Sequence, residues 1–263
     1  MKNLFSLTLF LLLTGRAFAV DGVILINQSI ALAGNVTPGD SPGFPVTISV
    51  SGSYRLSGNL TVPDANTTAI QISADNVSID LNGFSIIGPV VCSGGPPVTK
   101  CSPAGSGFGI VNGDQFNNPN TNISVFNGTV RGMGAVGIAL GANSRITNIQ
   151  ATSNGESGIS FTTGIVSSCI VTNNGADGIF ANNTFSPSRV VDNVVMGNGN
   201  AQGLEGSGID VGAGSVISGN TVVQNLNGIS ASFCLLVTNF VKGNTSSDAF
   251  SLTNCVLVNN VGF

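Results

Sequence analysis

The chain contains no histidine, no tryptophan and a single tyrosine, Tyr54. Only 8% of its 263 residues are charged. Without histidine the chain lacks the commonest metal ligand and the side chain that titrates nearest neutral pH. With no C-x-x-C pair either, a Cys/His metal site is not expected. Basic residues are sparse. Beyond the first twenty positions they are Arg55, Lys100, Arg131, Arg145, Arg189 and Lys242, each isolated. A nucleic-acid binder needs clustered Lys and Arg to displace counterions, so a nucleic-acid partner is excluded. After the first twenty residues no apolar run nears the ~20 residues that cross a bilayer, and no membrane span is expected there.

What is present is glycine, at 36 residues, with abundant asparagine and short runs of Val and Ile. That is the composition of many short strands joined by tight turns. The amino terminus reads as a secretory signal over residues 1–19. Lys2 starts it, Leu4 to Leu13 form its apolar core, and Ala17-Phe18-Ala19 is its cleavage site. Cleavage removes Lys2 and Arg16 but no acid, taking the formal charge from −4 to −6. No cysteine follows the cleavage site, so no lipid anchor is indicated. A secreted location follows, whether extracellular, periplasmic or at the cell surface.

The dipeptide Gly-Ile recurs at Gly137-Ile138, Gly158-Ile159, Gly178-Ile179, Gly208-Ile209 and Gly228-Ile229, in steps of 21, 20, 30 and 20 residues. A period near 21 marks a solenoid. Aligned on this pair, Ile159, Ile179, Ile209, Ile229 and Phe250 are expected to stack inside, because alternate strand residues face opposite ways. Ser160, Phe180, Asp210, Ser230 and Ser251 are then expected outside. A second column runs through Asn148, Asn193, Asn220, Asn239 and Asn260, and a third through Asn154, Asn174, Asn198, Asn225 and Asn244. Asparagine tolerates the left-handed backbone of sharp corners, and stacked amides can pass hydrogen bonds from coil to coil. Leucine-rich, helical and collagen-like repeats do not fit the pattern. The expected fold is all-β, a right-handed single-stranded parallel β-helix with roughly 20–22 residues per coil.

The opening coils carry a specific resemblance. Ser53-Tyr54-Arg55-Leu56-Ser57-Gly58-Asn59-Leu60-Thr61-Val62, then Ala69-Ile70-Gln71-Ile72, then Asn76-Val77-Ser78-Ile79-Asp80-Leu81-Asn82-Gly83-Phe84-Ser85-Ile86 resemble the first coils of secreted parallel β-helix proteins of the pectate-lyase-like superfamily. The resemblance covers roughly residues 50–263 and speaks to fold, since its members include lyases, hydrolases, epimerases and adhesins. The chain departs from the patterns of the hydrolases and epimerases. It has no histidine, no paired aspartates beside one, and its only tyrosine lies in the first coil.

Residues 20–50 carry Pro38, Pro42 and Pro45 and lack the coil pattern, which suggests an N-terminal cap or linker before a β-helix over 51–263. The chain stops mid-coil at Asn259-Asn260-Val261-Gly262-Phe263 without a polar cap. Two readings follow: an incomplete β-helix from a longer protein, or an end covered by another subunit through end-to-end association. Asp75, Asp80 and Asn82 read as corner residues.

Export permits disulfides. Cys92 and Cys101 bracket an irregular loop that a bridge would hold. Cys234 and Cys255 lie one coil apart, where either a bridge or two buried small residues fits. Cys169 has no evident partner.

Insertions mark where function is to be sought. The segment Asn112 to Thr121 lengthens one coil, and Asn182 to Pro187 and Gly199 to Gly206 lengthen another. Asp177, Glu205 and Asp210 are the one acidic cluster beside inserted loops, with Arg189 following the same region. They are candidates for carbohydrate or calcium binding; Asp177, Arg189 and Asp210 are candidates for catalysis. Bound calcium would be the cofactor of such a site. Three functions are consistent with the residues. The first is non-catalytic binding of a polysaccharide or surface glycan along the solenoid face. The second is a calcium-dependent polysaccharide lyase acting on uronic-acid polymers. The third is a passive structural piece of a larger exported protein.

Overall fold

The computed structural model describes residues 22–113, 120–181, 187–199, 201–204 and 206–262. The signal segment, most of Asn182 to Pro187, and Glu205 lie outside these residues. The fold is a right-handed parallel β-helix of about eight turns. Two sheets carry it, one of nine parallel strands and one of sixteen.

A representative coil contributes three strands, Arg189–Val191, Val194–Met196 and Ser207–Val211. The first two belong to the larger sheet and the third to the nine-stranded sheet. Each strand pairs in register with its counterparts one coil before and after. The inward residue of each strand therefore meets an apolar counterpart in the neighbouring coils. Val166, Val190, Ile217 and Leu236 form one internal stack. Val171, Val195, Val222 and Val241 form a second. Ile159, Ile179, Ile209 and Ile229 form the third, on the Gly-Ile strands. All twelve are fully buried. β-Branched residues serve this position because their stiff side chains suit an extended backbone and repeat at the ~4.8 Å strand spacing without rearrangement.

The corners are built from two adjacent positions with different tasks. The first adopts the left-handed conformation, with φ between +52° and +73° at Asn148, Ser168, Asp192, Gly219, Thr238 and Asn259, and at Gly132, Ser153, Asn173, Gly197, Gln224 and Gly243. The next residue is the ladder residue. In one ladder, Asn154, Asn174, Asn198, Asn225 and Asn244, each Oδ1 after the first accepts from both the backbone N–H and the side-chain amide of the preceding member, at 2.9–3.1 Å. The other ladder runs through Asn193, Asn220, Asn239 and Asn260 in the same manner.

Asn148 is a correction. It occupies the left-handed position, and its side-chain amide donates to Oδ1 of Asn127, its counterpart one coil before. Ile149, buried, takes the ladder place one residue later, followed in the next coil by Cys169, whose N–H donates to Asn193 Oδ1.

Phe250 is the second correction. Ala249, not Phe250, pairs with Ile229, and Phe250 is exposed. Asp248 explains the shift. Its Oδ1 accepts from the Asn244 N–H and side-chain amide at 2.9 and 2.8 Å, taking the place a further asparagine would fill. That tie holds Asp248 beside Gly228, so Ala249 falls opposite Ile229.

Residues 24–48 supply strands to the solenoid. Ile24–Ile26 pairs with Gly52–Leu56, and Val46–Ile48 pairs with Ile70–Ile72. A short helix, Gln28–Ala33, stands between them, capped by Asn27, whose side chain accepts from the Ile30 N–H. Asp80 and Asn82 do form a corner, closed by the Asn82 N–H donating to Asp80 Oδ1, while Asp80 Oδ2 pairs with Arg55 at 3.0 Å. No helix among the described residues is long and apolar enough to cross a membrane.

Cys92 is bridged to Cys101, and Cys234 to Cys255. The second bridge joins successive coils 21 residues apart, with Cα atoms 4.5 Å from each other. Cys169 is a buried free thiol, its pKa pushed up to about 11 by burial.

Candidate functional site on the nine-stranded sheet

Asp177 lies in the turn that leads from the ladder residue Asn174 into the strand Ile179–Ala181. Its Oδ1 accepts a hydrogen bond from the Ser207 backbone N–H of the next coil at 2.6 Å. Gly206 sits directly against it. A side chain there would begin 2.6–2.8 Å from the backbone of Ala176 and Asp177, so only glycine lets the returning insertion close onto this edge. Burial pushes the Asp177 carboxyl up to about 7; the nearby charge of Asp210 adds to that rise and the Ser207 N–H opposes it.

Asp210 stands on the outer face of the sheet, one coil beyond and directly opposite Phe180. Its carboxyl is also raised, by burial first, with a hydrogen bond to the Ser230 side chain acting the other way. Ser160, Phe180, Asp210 and Ser230 follow one another across four neighbouring strands. Phe180, Asp210 and Ser230 are half-buried, while Ser160 is buried. The result is a half-exposed aromatic ring with a carboxylate on the neighbouring strand and another at the head of its own. The sequence reading assigned Phe180 only an outward direction. Its signal was an aromatic residue in an otherwise polar or small column.

Arg189 is elsewhere. It is exposed on the larger sheet, between Ile165 and Val216. There it lines a shallow groove of about 550 Å³ with Asn143, Thr163, Pro187 and Gly214. The structure thus brings Asp177 and Asp210 together and leaves Arg189 on another face. Glu205 lies outside the described residues.

Among the described residues no group of three or more His, Cys, Asp or Glu comes together. Calcium takes six to eight oxygens. Two carboxylates, one already holding the Ser207 N–H, do not by themselves make such a site.

No protein-family model matches the chain, and no curated protein sequence does. Solved structures of similar fold include the A-module of an Azotobacter vinelandii mannuronan C-5 epimerase, at 12% identity and a TM-score of 0.43, covering 80% of this chain and 68% of that one. The Dettilon tailspike protein is 15% identical with a TM-score of 0.45, covering 82% of this chain and 52% of its own. The enzymatically active domain of bacteriophage CBA120 tailspike protein 2 is 14% identical with a TM-score of 0.46, covering 82% and 35%. This chain therefore spans about half and a third of the two tailspike chains.

Proposed function

We propose that this is an exported protein that binds polysaccharide along the outer face of the nine-stranded sheet without transforming it, with Asp177, Phe180 and Asp210 as the contact set. The observation that carries this reading is Phe180 half-buried in register with Asp210 and three residues from Asp177. An aromatic face offers apolar area to the C–H side of a sugar ring at little conformational cost. Carboxylates beside it accept hydroxyl hydrogens, two oxygens to each group. A parallel sheet repeats such contacts at ~4.8 Å along its axis, which suits an extended polymer. Burial and the Asp177–Asp210 repulsion already make this site disfavour negative charge, which favours neutral sugars over anionic ones.

The lyase reading has less support. It needs a cation beside the substrate carboxylate, and Arg189 is on the other sheet.

The test is binding to a panel of neutral and uronate polysaccharides, followed by calorimetry on any that bind. Phe180→Ala is expected to weaken binding at least tenfold, roughly 1.4 kcal/mol. A wild-type protein that retains no polymer, neutral or acidic, overturns the proposal. New absorbance from unsaturated uronate, with or without calcium, replaces it with the lyase reading.

A further inference from the structure

The bridged hairpin that leaves the solenoid after Ile87 does more than close a loop. Its strands are Val91–Ser93 and Lys100–Ser102, paired antiparallel. It lies along the corner beside the longer asparagine ladder and touches widely separated coils. The Val90 N–H donates to Gly132 O at 2.9 Å. The sulfurs of Cys92 and Cys101 rest 3.5 and 3.8 Å from the carbonyl oxygen of Asn154, one coil on. At the tip, the Val98 N–H donates to Gly197 O at 3.1 Å, two coils further.

The tip also meets the insertion. Val98, Cys101 and Ala201 share a small apolar cluster with Ala65 and Val90 that is separate from the main core. Ala201 opens the 3-10 turn Ala201–Gly203 and is fully buried. The insertion is tied down from the other side as well. The Gly199 N–H donates to Asn174 O at 3.1 Å and the Ala201 N–H to Gly175 O at 2.9 Å. Five residues after Ala201, Gly206 presses on Asp177, and the Ser207 N–H reaches its carboxylate. Packed groups therefore run from the bridge, through Val98 and Ala201, to Gly175, two residues before Asp177.

We infer that the Cys92–Cys101 hairpin is a positioning strap for the Asp177 site: it pins the Ala201–Gly203 turn against the solenoid and so sets the position of the Ser207 N–H and the exclusion of water around Asp177. The inference rests on the binding reading for its purpose but not for its geometry. The hairpin meets the ladder at the Asn154 carbonyl oxygen, which the side-chain amide bonds of the ladder do not use, and its cluster is outside the main core, so its loss leaves the coils intact.

The experiment compares wild type with Cys92→Ser/Cys101→Ser, with the control Cys234→Ser/Cys255→Ser at the far end, and with Val98→Ser, which loosens the tip and keeps the bridge. Asp177 is titrated by NMR through its own carboxyl carbon and the Ser207 amide. Wild type is expected to titrate near pH 7. The Cys92/Cys101 variant is expected to titrate well below that, toward the ordinary carboxylate range, with unchanged β-sheet circular dichroism and at least tenfold weaker polysaccharide binding. Val98→Ser is expected to move the midpoint the same way by less, and the control not at all. An unchanged midpoint in both strap variants overturns the inference. Should the double variant fail to fold, Val98→Ser decides alone. Should wild type bind no polysaccharide while the midpoint still shifts, the strap stands and the binding reading falls.

Discussion

The side-chain oxygen of Asn225 accepts two hydrogen bonds from Asn198, one from the backbone N–H at 3.0 Å and one from the side-chain amide at 2.9 Å. The two residues are 27 apart in sequence and fully buried. Asn198 in turn receives the same pair from Asn174. A buried corner turns its polar backbone groups toward an interior without water, and the ladder satisfies them.

Asn198→Ala is therefore expected to cost about 3 kcal/mol or more. It removes the acceptor of two Asn174 donors and the donor to Val171 O, and each orphaned buried group costs ~1–3 kcal/mol. Urea unfolding followed by circular dichroism measures it; a loss under 1 kcal/mol contradicts the ladder's role.

Two residues expected to face inward, Ile209 and Phe250, separate cleanly by mutation: the first is buried in its stack and the second is exposed. Ile209→Ala removes a fully buried side chain and is expected to cost ~2–5 kcal/mol. Phe250→Ala trims an exposed ring and is expected to cost under ~0.5 kcal/mol. Equal losses in thermal or urea unfolding would restore Phe250 to the interior.

Asp177 gives stability a pH dependence of definite sign. Its folded pKa is raised to about 7 from an ordinary 3.8. Between those values the folded state holds a proton that the unfolded chain has released, so stability falls as pH rises through this window. Below about pH 4 both states are protonated and the dependence vanishes. Asp177→Asn is expected to flatten the decline between pH 4 and pH 7 in a series of thermal melts. A stability that rises across this window in wild type and falls flat in the variant would reverse the sign and the reading of burial.

Thiol chemistry should report one reactive group. Under non-reducing conditions, Ellman titration of the denatured protein is expected to find a single thiol, Cys169. The native protein is expected to show none, because that thiol is buried and its pKa is raised to about 11. Three or more thiols in the denatured chain would mean an open bridge.

Arg189→Ala serves as the discriminating surface change. The residue stands on the larger sheet, away from Phe180 and Asp210, so polysaccharide affinity is expected to stay within twofold of wild type. A tenfold loss would place the ligand on the other face.

The legible and illegible parts divide along a physical line. The Gly-Ile period exposed the internal isoleucine stack because Ile159, Ile179, Ile209 and Ile229 each repeat the same local pattern. The asparagine columns were readable for the same reason, as was the possibility of a Cys234–Cys255 bridge one coil apart. Asn148 was displaced by one place because asparagine suits both corner positions, and only backbone φ tells them apart. Arg189 could not be placed because two insertions fall between Ile179 and Ile209, and the phase of the coil is lost inside a 30-residue step. The hairpin's reach to Ala201 had no sequence signal, since its contacts join residues about 100 positions apart.

Local repetition by itself determined the coil, its inward stacks and its ladders, because in a solenoid each coil meets only copies of its own pattern. What lies on the outside was decided by tertiary structure. Which facet carries Arg189, how Asp177 meets the Ser207 N–H, and where the bridged hairpin lands all depend on contacts between coils that differ. Nothing in a period can specify a contact made by the residues that break it.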